Sequence, residues 1–90
     1  MDVGRLYRLQ RGNQTETIGL IIKGAAASIQ IYGSARKPAN VSDMVDCTDA
    51  EILDEGSWGF ALLPEYITFV GTADYIDIVG RSFTDLGAIS

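Results

Sequence analysis

Apolar residues in this chain recur at alternate positions, and glycine, proline and asparagine interrupt them roughly every eight to twelve residues. Ile18, Leu20 and Ile22 form one such set, and Ala27, Ile29 and Ile31 alternate with Ser28, Gln30 and Tyr32. Trp58, Phe60 and Leu62 follow, then Ile67 and Phe69, then Ile76 and Ile78. A side-chain period of two belongs to strands with one buried face, whereas a packed helix needs a period near 3.6. The pattern predicts strands over 3–11, 17–23, 27–32, 57–63, 66–70 and 73–79, with a further short one over 44–48. Gly12-Asn13-Gln14, Gly24, Gly33-Ser34, Pro64-Glu65 and Gly71-Thr72 supply the turns, and Arg36-Lys37-Pro38-Ala39-Asn40 reads as an exposed connection. Thr48 and Glu51 have capping-box spacing with Gly56 beyond them, which predicts a short helical turn. The expected fold is all-β: a small antiparallel β-sandwich or partly closed barrel of six to seven short strands, with at most one short helical turn.

With 90 residues the chain reads as one domain, 1–90, in which 81–90 is either a last strand or a C-terminal arm. A monomer of this size buries only about 64% of its unfolded surface, so its core is thin. A lone Cys47 gives no internal disulfide and no cysteine cluster for zinc. The absence of histidine removes imidazole as base, shuttle or metal ligand, and with it most hydrolase triads. No stretch approaches the roughly 20 apolar residues of a membrane span, and no signal-type apolar run follows Met1-Asp2-Val3-Gly4-Arg5. A soluble chain made in the cytoplasm is expected, and the sequons at Asn13 and Asn40 read as chance matches.

The net charge of −5 conceals a division along the chain. Residues 1–42 carry six basic side chains against two acidic ones, and residues 43–90 carry one against ten. Either the two parts pair across neighbouring strands of one fold, or identical subunits meet basic face to acidic face. Six scattered basic residues make no phosphate-binding stripe, so nucleic acid is not an expected partner.

Chemistry-bearing patterns are sparse. Asp43, Asp46, Asp49, Glu51, Asp54 and Glu55 offer oxygens to calcium but lack the spacing of a calcium loop, and a solvated acidic loop is the better reading. Asp74 and Asp77 fall on opposite faces of a strand and cannot converge for acid–base work. Cys47 stands among acids, which raises its thiol pKa, and it reads as an apolar filler. Trp58, Tyr32, Tyr66 and Tyr75 are candidates for a sugar-stacking platform or for core. No enzyme, cofactor or metal is expected.

The alternation also assigns Ile21, Tyr32, Leu63, Tyr66, Val70, Tyr75 and Val79 to the outside, more apolar surface than a solvated face carries. Tyrosine is common at interfaces because its ring packs while its hydroxyl stays wet. The candidate protein interface is therefore Tyr32, Tyr66, Val70, Tyr75 and Val79, with Phe83 from the tail.

The run Ala61-Leu62-Leu63-Pro64-Glu65-Tyr66-Ile67-Thr68-Phe69-Val70-Gly71, followed by Asp74-Tyr75-Ile76-Asp77-Ile78-Val79-Gly80, resembles the small β-rich virion structural proteins of tailed bacteriophages, particularly head decoration or cement proteins. The resemblance covers about the C-terminal third and carries no fixed site motif. It implies a non-enzymatic protein that oligomerises, often as a trimer, and stabilises the capsid at junctions of the major capsid protein. Its place would be the virion, after synthesis in the host cytoplasm. The alternative is a small β-sandwich binding module for carbohydrate or for a peptide strand added at a sheet edge.

Overall fold

The computed structural model describes residues 1–10, 18–48, 51–60 and 63–90. Strands form where the alternation runs: β1 (Arg5–Leu9), β2 (Ile18–Lys23), β3 (Ser28–Ser34), β4 (Val45–Asp46), β5 (Gly56–Phe60), β6 (Tyr66–Thr72), β7 (Tyr75–Val79) and β8 (Phe83–Ala88). They make two antiparallel sheets, one ordered β4-β3-β6-β1-β8 and the other β5-β2-β7. The sheets face each other as a sandwich and do not close into a barrel. Eight described strands exceed the six or seven expected, because the short 44–48 segment and the tail both pair.

Tyr7, Leu9, Ile18, Leu20, Ile22, Ile29, Ile31, Leu53, Leu63, Ile67, Phe69 and Ile76 form the core between the sheets. Removing a side chain of this size from water stabilises the fold by about 1.5–3 kcal/mol. Alternation puts Leu6 and Thr68 on the opposite face of the larger sheet, yet both are buried, as are Pro38 and Met44 in the connection after β3. The Val41 N–H donates to the Ser90 carbonyl at 2.9 Å, tying that connection to the chain end. The larger sheet is thus covered in part on its outer face by its own chain.

Five local expectations change. Gly33-Ser34 does not break β3: a Cβ at Gly33 would overlap Pro64 and come within 2.8 Å of the Cys47 Sγ, so the glycine lets those residues pack against the strand. Gly71-Thr72 likewise belongs to β6, and the turn falls at Ala73-Asp74. The helical turn lies at Val41–Asp43. The described residues 51–55 hold no helix: the Glu51 N–H donates to the Thr48 carbonyl at 2.9 Å, and Leu53 exchanges two backbone hydrogen bonds with Ile29, at 2.8 and 2.9 Å, and enters the core. Leu63, expected outside, is buried, because β5 ends at Phe60 and its alternation no longer governs that position. Within the connection expected to be exposed, Pro38 is buried. The expected turn Gly12-Asn13-Gln14, the capping-box interior Asp49-Ala50 and the strand residue Leu62 lie outside the described residues.

Candidate interaction surface

The outer face of the three-stranded sheet is assembled by register. Gly59, Gly19 and Val79 stand in one row, Ser57, Ile21 and Asp77 in the next, and Lys23 beside Tyr75 in the third. Leu20 and Ile22 alternate with these and point into the core. A Cβ on Gly19 would sit 3.4 Å from that of Val79, in van der Waals contact with it. The result is a low face on which Ile21, Tyr75 and Val79 remain 42%, 47% and 53% exposed. At its rim Lys23 lies 3.4 Å from Glu55, whose carboxylate also accepts the Gly24 N–H at 2.8 Å. That backbone hydrogen bond, with help from Lys23, holds the Glu55 carboxyl below its ordinary pKa.

The six residues expected to form one interface are divided between the two sheets. Tyr75 and Val79 share the face just described. Tyr32, Tyr66 and Val70 lie on the outer face of the larger sheet, opposite Thr68, Arg8 and Gln30 respectively. Tyr32 and Tyr66 are half-buried there, and the Arg8 guanidinium sits 5.9 Å above the Tyr66 ring centre. Phe83 belongs to neither group: it is on the edge strand β8, its ring edge-on to Tyr7 at 5.4 Å and 88°. Ile21 and the flattening glycines of β2 and β5 complete the smaller face. Alternation marked Ile21 as outward, but only the pairing register shows that it adjoins Val79.

The four aromatics of a sugar platform are similarly dispersed, since Trp58 pairs with inward-facing Leu20 and donates its indole N–H to the Asp54 carbonyl at 3.0 Å. An open polar recess on the larger sheet is lined by Arg8, Leu9, Gln10, Glu65 and Thr84. Arg8 lies 3.6 Å from Glu65 there, so the recess is already internally charge-matched.

The divided charge is partly resolved within the chain. Arg5 pairs with Asp85 at 2.8 Å, Arg8 with Glu65 and Lys23 with Glu55, and each pair joins a residue from 1–42 to one from 43–90. Strand neighbours far apart in sequence bring the two signs together, as cross-strand pairing requires. Among the described residues no three of the aspartates, glutamates and Cys47 gather as a metal cage would need. Cys47 is half-buried, and burial, with Asp46 beside it, pushes its thiol pKa up.

Compared with protein-family models, with curated proteins and with solved structures, the chain matches none.

Proposed function

We propose that this chain is a non-enzymatic structural protein that oligomerises through the outer face of its three-stranded sheet. One observation carries the reading: Ile21, Tyr75 and Val79 lie together, largely exposed, on a face that glycines keep low. Apolar residues scattered singly are ordinary, whereas Ile21, Tyr75 and Val79 gather around Asp77 on one sheet face, with Lys23 and Glu55 at its rim, a mixed apolar and charged composition that suits a protein contact. The partners in this proposal are further copies of the chain and the major capsid protein of a tailed-phage head. The likeness of 61–80 to decoration proteins supports the second partner. Many copies binding only the assembled shell would stabilise it by mass action, with no active site required.

Light scattering on the purified chain at low and high salt tests this reading. Association is expected, and it is expected to be lost on combined Tyr75→Ser and Val79→Asp substitution while the β-type circular dichroism persists. Unchanged association in that variant, or loss of its fold, overturns the assignment of this face.

A further inference from the structure

The ion pairs that join the basic and acidic parts of the chain leave a remainder. Arg5, Arg8 and Lys23 are matched by Asp85, Glu65 and Glu55. Among the described residues, Arg36 and Lys37 are exposed and enter no ion pair, and the same holds for Asp77 on β7. Unmatched charge of each sign is thus carried at two separate places.

Asp77 stands in one row with Ile21, and Tyr75 and Val79 flank it on the same face. An interface that buries those three side chains desolvates the carboxylate with them, which is costly unless a cation meets it. The face does not supply one. Lys23 is held at the rim by Glu55, and Asp74 adds a further exposed carboxylate in the turn before Tyr75. Two copies meeting through this face alone would oppose acid to acid and leave both carboxylates without a counter-ion.

Arg36 and Lys37 lie in the connection between β3 and β4, both strands of the larger sheet. That connection is fixed at several points. The Arg36 N–H donates to Ser34 Oγ at 3.2 Å, the Ala39 N–H to Asp43 Oδ2 at 3.2 Å and the Val41 N–H to the Ser90 carbonyl at 2.9 Å, and Pro38 and Met44 are buried. Two adjacent basic side chains are therefore presented from an anchored backbone, which lowers the cost of ordering them in a contact.

We propose that the outer face of the three-stranded sheet in one copy docks on Arg36 and Lys37 of the next, head to tail, with Asp77 as their counter-ion. This rests on the reading of that face as the site of self-association and names what covers it. The aliphatic stems of Arg36 and Lys37 cover Ile21 and Val79 while their charged ends reach Asp77. The ring of Tyr75 offers its π face to the second cation. Because the two surfaces belong to different sheets of one chain, the contact is heterologous: a dimer leaves one face and one basic loop unused, and association continues into a ring or a filament.

Sedimentation velocity at low salt over a range of concentrations tests the contact. The samples are wild type, Asp77→Lys, a chain with Arg36→Glu and Lys37→Glu, and a chain with all three substitutions, with circular dichroism confirming each fold. Wild type is expected to form species larger than a dimer. Asp77→Lys and the Arg36→Glu, Lys37→Glu chain are each expected to lose at least about tenfold in association constant. The chain with all three is expected to recover, because the signs are exchanged and remain opposite. A wild type that stops at a dimer, an Arg36→Glu, Lys37→Glu chain that associates like wild type, or a folded triple variant that fails to recover overturns the proposal. If association survives in the Arg36→Glu, Lys37→Glu chain but is lost with Tyr75→Ser and Val79→Asp, the face remains the interface and its occupant is a different surface. A wild type that stays monomeric overturns both readings.

A second readout needs no substitution. In a mixture of unlabelled and isotope-labelled chains, a water-soluble carbodiimide is expected to join the Lys37 amine of one copy to the Asp77 carboxylate of another as an amide, detected by mass spectrometry. An associated sample without that interchain link overturns the proposal.

Discussion

Gly71 lies so close to Ser28 that a Cβ on the glycine would overlap the Ser28 carbonyl oxygen. The site is an exposed end of β6 paired to β3, where the glycine adopts φ +130° and the two backbones approach as no other residue would permit. Gly71→Ala is expected to destabilise the fold by about 3 kcal/mol through strain and the forced separation of the strands. Urea unfolding measures this, and an unchanged midpoint would mean that the strands part freely.

Thr68 is fully buried on the covered outer face of the larger sheet, between Leu6 and Tyr32 in the register. Its hydroxyl donates to the Arg5 carbonyl at 2.8 Å. Thr68→Val keeps the volume and removes the donor, so a loss of about 1 kcal/mol is expected in the same unfolding assay. A gain in stability would show that the hydroxyl is a burden there.

Acid is expected to weaken the fold over a defined range. Arg5 beside Asp85, and the Gly24 N–H on Glu55, hold these carboxyls below their ordinary values of 3.8 and 4.5. The folded chain therefore binds these protons less readily than the unfolded one. The stability they contribute is complete above the unfolded values and is lost as pH falls through the lower, folded ones. Thermal midpoints should hold level from about pH 8 to 5 and fall below about pH 4. Asp85→Asn should flatten part of that acid limb, and an identical limb in the variant would exclude Asp85 as a contributor.

The Cys47 thiol should react slowly. Burial and Asp46 both raise its pKa, so less thiolate is present at pH 8 than for a cysteine in an unstructured peptide. Alkylation by iodoacetamide is expected to be slower by about threefold or more, and denaturant should abolish the difference. Equal rates in the folded chain would place the thiol in a more exposed setting.

Much of the fold was legible because period two is a local property. Ile18, Leu20, Ile22, Ile29, Ile31, Ile67, Phe69 and Ile76 all entered the core their alternation assigned to them. Errors fell where a local signal competed with a distant partner. Gly33 and Gly71 carry turn chemistry, but each serves close packing inside a strand. At the capping-box spacing the Glu51 N–H does bond the Thr48 carbonyl, but beyond it Leu53 bridges Ile29 instead of continuing a helix. Outwardness was also legible for Tyr75, Val79 and Val70, all of which are exposed. Which outward residues share a face was not, because sheet membership depends on pairings between segments remote in sequence. Tyr66 and Tyr75 are near in the chain and belong to different sheets.

The position of β1 has a consequence for how the chain is made. Its two neighbours are β6 and β8, both far later in the sequence, so β1 pairs with neither until they have been made. On the ribosome, β1 emerges with nothing to pair against, and Leu6, Tyr7 and Leu9 stay available to other chains until Ile67 and Phe83 appear. Closing so long a loop is slow compared with forming a hairpin. The larger sheet can therefore be completed only after β6 and β8 have emerged, which makes these later strands the ones that commit the nascent chain to its fold.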